Sequence, residues 1–150
     1  MVKLQVLICT IGAEGIRRVV ESSHPEVEGV EYLVSWQQPD FELPVPCELA
    51  KRKDFKFAIV KSRGICKNRN NAIECATASL CLMSDDDVCY KEDELRLLIK
   101  AFEENPMVDI ITVMFHASDF GKLYPNYAFD LNNSPKGYYV TSFEIAFRLN

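Results

Sequence analysis

Residues 3 to 11, KLQVLICTI, run almost continuously apolar after Gln5, and a strand that reads this way has to be covered on both faces. It belongs at the centre of a parallel sheet, and parallel strands need crossover connections to return the chain. Gly12 opens a turn into AEGIRRVVESS, where Ile16, Val19 and Val20 recur at helical spacing, and Pro25 marks the end of that helix. Val30 to Trp36, VEYLVSW, is dense in β-branched and aromatic residues and is followed by the turn-forming QQPD, so a βαβ unit is complete. Gly12 and Gly15 do not make the GxGxxG fingerprint of a dinucleotide fold.

The alternation continues. Phe41 to Lys53, with Pro44 and Pro46, reads as an irregular connection, and Phe55 to Val60, FKFAIV, as a short strand. Gly64 then turns the chain into a helix with Ile65, Arg69, Ala72, Ile73 and Ala76 at spacings of three and four. Leu80 to Met83 is the next strand. The clearest helix follows in KEDELRLLIKAFEENP, with Leu95, Leu98, Ile99 and Phe102 on one face and Pro106 just past its end. Asp109 to Phe115 is expected as another buried strand. From His116 to Gly137 a long loop carries Tyr124, Tyr127 and Phe129. The last run, YYVTSFEIAFRL, sets Phe143, Ile145 and Phe147 against Ser142, Glu144 and Ala146, the pattern of a half-buried strand.

Strand four delivers Asp85, Asp86 and Asp87. Adjacent carboxylates repel one another and are tolerable only if solvated, used as caps, or neutralised by a cation. A helix cap explains one of them, and Lys91, Glu92 and Asp93 are better placed to start the helix that follows. In an open α/β sheet, ligands sit beyond the carboxyl ends of the strands, which is where this cluster falls.

Composition narrows the partners. A net charge of -5 with dispersed Lys and Arg argues against nucleic acid, and the compact basic run Lys51 to Lys53 reads as a solvated loop. Lys61, Arg63, Lys67 and Arg69 gather positive charge ahead of the helix after Gly64. No apolar run reaches the ~18 residues of a membrane span. The amino terminus lacks signal-peptide architecture, so the six cysteines are expected as free thiols in a reducing, cytoplasmic setting. Cys9, Cys75 and Cys81 are expected in the core, and Cys47, Cys66 and Cys89 near loops.

VLICTIG at the start, RGICKNRNNAIECATASLCLMSDDDV in the middle and VTSFEIAFR near the end together resemble the family 2 glycosyltransferases of the GT-A fold. The middle block is similar to that family's glycine, its Arg-Asn pair opening a helix, here Arg69 and Asn70, and its hydrophobic strand ending in a DxD motif. The resemblance implies an α/β fold, a Rossmann-like GT-A sandwich with a mostly parallel sheet flanked by helices. Residues 1 to 150 would form a single nucleotide-sugar-binding domain, cut short at its C-terminus.

It further implies metal-dependent, inverting transfer from a UDP- or GDP-sugar to a hydroxyl of a saccharide or lipid-linked acceptor. Thr10, Gly12 and Gln37 would lie at the base. Gly64 belongs to the donor side, and Arg69 would lie near the diphosphate. Asp85 and Asp87 would hold Mn²⁺ or Mg²⁺, with Asp86 the ribose partner. Where the family usually has a base-binding carboxylate, SWQQPD offers neutral Gln37 and Gln38, which leaves the base open. The general base is expected beyond Asn150, since Asp119, Asp130 and Glu144 match no such motif. Two other classes fit parts of the chain: a non-catalytic α/β module binding a partner through Tyr124 to Phe129, and an unrelated phosphoryl-transfer enzyme.

Overall fold

The structure, a computed structural model, describes residues 3–114 and 129–149. Its centre is a six-stranded sheet in the order β3-β2-β1-β4-β6-β5. The strands are β1 (Leu4–Ile11), β2 (Val30–Gln37), β3 (Phe55–Val60), β4 (Leu80–Asp85), β5 (Ile110–Thr112) and β6 (Ile145–Arg148). The first four are mutually parallel, and β6 runs antiparallel to both β4 and β5. The expected mostly parallel sheet is what forms.

Two helical layers cover it. Helices α1 (Gly12–Glu21) and α4 (Glu92–Glu104) send Ile16, Val19, Leu95, Leu98 and Phe102 into one core, against Leu4, Val6 and Ile8. Helix α3 (Ile65–Cys75) closes the other face with Ala72 and Ile73 against Leu7, Cys9, Cys81 and Met83. Successive residues of β1 therefore serve opposite layers, which is why its sequence shows no polar alternation. Gln5 is the buried exception, and it is satisfied: its amide accepts from the Thr77 and Ala78 N–H groups and donates to Glu31. The remaining helix, α2 (Cys47–Ala50), is one turn inside the expected irregular connection.

Several expectations change. β5 is three residues long, ends the sheet, and leaves Ile110 51% exposed, so it is an edge strand and not a buried one. In β6 the fully buried side chain is Ala146, on the α4 side, while Phe147 packs towards α3. Both faces of β6 carry core contacts, Ala146 in one cluster and Phe147 against the other. Glu144 is also fully buried; its carboxylate accepts from the Thr141 N–H and hydroxyl in a 3-10 turn, Ser142–Glu144.

Cys75 is exposed, because the inward positions of α3 are Asn68 and Ala72. Arg52 is held within the molecule: it donates to His24 O and Asp54 and lies over the Phe55 ring, 4.7 Å from its centroid. Tyr124 and Tyr127 lie outside the described residues. Phe129 meets Tyr138 edge-on at 5.1 Å. No helix among the described residues is long and apolar enough to cross a membrane.

Candidate functional site

Strand register decides what meets at the carboxyl end of the sheet. Ile11 stands beside Gln37, Gln37 beside Val60, and Cys9 beside Asp85. The chain leaves each of these strands at nearly one level, and the turns between them bound a cleft of about 370 Å³. Thr10, Cys9 and Ile11 form its β1 side, and Gln37 its β2 side. Gly64, Ile65 and Asn68 supply the start of α3, and Asp85, Asp86 and Asp87 the wall after β4. A broader depression of about 540 Å³ lies before β2 and β3, around Glu26, Lys51 and Asp54. It is at the opposite strand ends, where open α/β sheets do not bind ligands.

The aspartates diverge as strand alternation requires. Asp85 turns towards α3, where its Oδ1 accepts from Arg69 Nη2 at 3.1 Å. Asp86 turns towards α1 and is buried. Its Oδ1 accepts from Arg18 Nε at 2.8 Å, and its Oδ2 accepts from Arg18 Nη2 at 3.0 Å and from Thr10 Oγ1 at 2.7 Å. Their hydrogen bond raises the Arg18 guanidinium above its ordinary value. Asp87 is exposed at the mouth. Helix α1 approaches so closely that a Cβ on Gly15 would stand 2.1 Å from Thr10 Oγ1 and 2.8 Å from Asp86 Oδ2.

Across the cleft, α3 is pinned by Asn68, whose amide donates to Thr10 O at 2.9 Å and accepts from the Ser35 hydroxyl at 2.6 Å. Asn71 donates to the same hydroxyl at 2.7 Å. Gln37 Nε2 reaches Ser62 Oγ and Gly64 O, each at 3.3 Å, and so ties the end of β2 to the turn before α3. Gly64 has φ of +118°, a conformation open to glycine and rare for other residues. Arg69 Nε is buried without a hydrogen-bond partner among the described residues, which leaves a donor of a cationic side chain beside the cleft. Cys9, in the cleft floor, is pushed up to about 12, chiefly by burial, and stays a thiol.

Thus Thr10, Gln37, Gly64, Asp85, Asp86 and Asp87 share one cleft, with Arg69 joined to it through Asp85. Gly12 lies just behind, where its carbonyl accepts from Trp36 Nε1 at 2.9 Å. Arg18, Asn68 and Ser35 join the site without a motif to mark them, and Gly15 does so as a packing residue and not as part of a glycine fingerprint. A polar Asn68 one turn before Ala72 on the inward face of α3 was the available signal; nothing local marked Arg18.

Among the described residues no three His, Cys, Asp or Glu side chains converge as a ready metal cage. The donor set still suits a hard cation of the magnesium type, which commonly takes one or two carboxylates and completes its shell with substrate phosphates and water.

The sequence profile of glycosyl transferase family 2 matches residues 46–148. No curated protein sequence is similar enough to this chain to count as a match. Among solved structures, S. aureus TarS superposes over 98% of this chain and 28% of its own, with a TM-score of 0.68 and 19% identity. TarS 1-349 in complex with UDP gives 0.67 and 17%, covering 98% of this chain and 47% of that one. Its complex with UDP-GlcNAc gives 0.67 and 17%, with 98% and 45% covered. The chain therefore spans less than half the length of these relatives. The likeness establishes a GT-A fold, and with a profile covering more than half of its residues, the chain belongs to glycosyl transferase family 2.

Proposed function

We propose that this chain binds the nucleotide diphosphate and divalent cation of a sugar donor and serves inverting transfer of the sugar to an acceptor hydroxyl. The observation that carries the reading is the cleft itself, where Thr10, Gln37, Gly64 and the three aspartates meet at the carboxyl ends of parallel strands. Family membership and the UDP and UDP-GlcNAc complexes of the structurally similar TarS support it.

In this reading Thr10, Gly12 and Gln37 face the base, and Gly64 and Arg69 face the diphosphate. With both Nε2 hydrogens directed at Ser62 and Gly64, Gln37 has its amide oxygen left to accept from a base N–H, a group that uracil and guanine both carry. Asp85 and Asp87 hold Mn²⁺ or Mg²⁺; Asp86, expected at the ribose, has both carboxylate oxygens taken by Arg18 and Thr10 and instead shapes the turn between them. The bound cation supplies Lewis-acid stabilisation of the charge that builds on the departing diphosphate. The partly buried Arg69 guanidinium, with its unpartnered Nε, binds and orients the same phosphates through charge-assisted hydrogen bonds.

None of the three cleft aspartates stands as a general base for the acceptor in this scheme, and Asp119 lies outside the described residues. Asp130 and Glu144 are not among the residues that line the cleft: Asp130 caps a 3-10 turn and Glu144 is buried against Thr141. Calorimetric titration with UDP-GlcNAc and GDP-mannose, with Mn²⁺ and then with EDTA, tests the reading. Saturable binding that needs Mn²⁺ is expected; no binding of either donor under both conditions would refute it.

A further inference from the structure

Arg18 has no part in the donor site as read above, yet it grips Asp86, one of the residues that line the cleft, and the inference drawn from it rests on that reading. Three carboxylates in sequence would place three like charges at one strand end. The fold removes the middle one. Asp86 is 8% exposed, and Arg18 engages both of its oxygens in a forked pair at 2.8 and 3.0 Å. Thr10 supplies the third hydrogen bond.

The contact is built into the packing of α1. Gly15 lets the helix approach to a distance no side chain would permit, and Ser22 Oγ reaches the Asp86 carbonyl oxygen at 3.4 Å. Gly15, Arg18 and Ser22 recur at spacings of three and four, so one face of α1 is fastened to the turn after β4. Arg18 also lies 3.8 Å from Glu14, a longer and more exposed pairing.

We propose that Arg18 is a positioning residue: it takes both oxygens of Asp86 out of the ligand set and cancels its charge, so that the cleft offers a cation the exposed Asp87 and Asp85, of which Arg69 takes one oxygen, and no third carboxylate. The consequence is a trade. A third carboxylate would strengthen the hold on a bare divalent cation, because affinity rises with ligand charge. It would also repel the diphosphate, whose negative charge the cation has to offset. Arg18 sets the balance in favour of the diphosphate.

The test compares the wild type with Arg18→Gln, Arg18→Lys and the double variant Arg18→Gln/Asp86→Asn, titrated with Mn²⁺ alone and with UDP at saturating Mn²⁺. Arg18→Gln is expected to bind Mn²⁺ alone several-fold more tightly and UDP about tenfold more weakly, the second from repulsion of the diphosphate by the freed Asp86 carboxylate. Arg18→Lys falls between, since an ammonium cannot fork onto both oxygens. The double variant, which removes the freed charge, returns both affinities towards the wild type, and it carries the test with Arg18→Lys if Arg18→Gln does not fold. Unchanged affinities in Arg18→Gln, or weakening of both ligands without rescue by Asp86→Asn, would overturn the positioning role alone. A wild type that shows no Mn²⁺-dependent UDP binding would overturn the donor-site reading and this inference with it.

Discussion

Replacing Gly15 with alanine adds one methyl group where α1 packs against Thr10 and Asp86. The new Cβ would stand 2.1 Å from Thr10 Oγ1 and 2.8 Å from Asp86 Oδ2, so α1 is forced outward and the Thr10–Asp86 hydrogen bond is lost with it. Overpacking of this kind costs ~1–3 kcal/mol. Losing a hydrogen bond to a charged group adds ~1.5–3 kcal/mol. Alanine returns ~1 kcal/mol through its better helix propensity. The net is a destabilisation of ~1.5–5 kcal/mol, or a fall in Tm of roughly 3–20 °C at about 2–4 °C per kcal/mol for a chain of this size.

Urea denaturation reads this as a lower midpoint at constant slope. Gly12→Ala is the control, because Gly12 has φ of +65° with open space around its Cβ position. That change costs only the ~1–2 kcal/mol of a left-handed residue. Gly15→Ala at wild-type stability, or less costly than Gly12→Ala, would refute the close-approach reasoning.

Acid should weaken the fold through His24, which is buried among Tyr32, Phe55 and Tyr90 and is lowered to about 4 by burial and by Arg52. Because the folded value lies below the unfolded one, near 6.5, its contribution is complete above pH 6.5 and is lost as pH falls towards 4, up to ~3 kcal/mol. Urea midpoints at pH 7.5 and pH 5 measure it, and His24→Phe is expected to flatten the difference. Asn68→Ala leaves the Thr10 carbonyl without its partner and should cost ~1–3 kcal/mol, with UDP affinity falling alongside. Retention of both stability and affinity in Asn68→Ala would show that α3 is held by packing alone.

The parallel core was legible because β1, β2 and β4 are apolar on both faces, a pattern few other environments permit. The position of the acidic turn followed from the same strands. What escaped the sequence was lateral. Arg18 meets Asp86 across 68 positions, and nothing in either neighbourhood announces the other. Asn68 stands out little more, because helical period locates a face without saying that a polar side chain on it will find Thr10 and Ser35. In β6 the alternation was real, but both sides are covered, so apolar and small residues exchanged the roles expected of them. β5 read as buried from composition alone, although its place at the sheet edge depends on strand order.

The central claim is that Asp85 and Asp87 hold a cation through which the diphosphate binds. The most direct measurement is the gain in UDP affinity on adding Mn²⁺, compared between the wild type and Asp87→Ala by calorimetry. The account predicts a gain of tenfold or more in the wild type, about 1.4 kcal/mol or greater, and little gain in Asp87→Ala. An equal gain in both proteins, or none in the wild type, would contradict it.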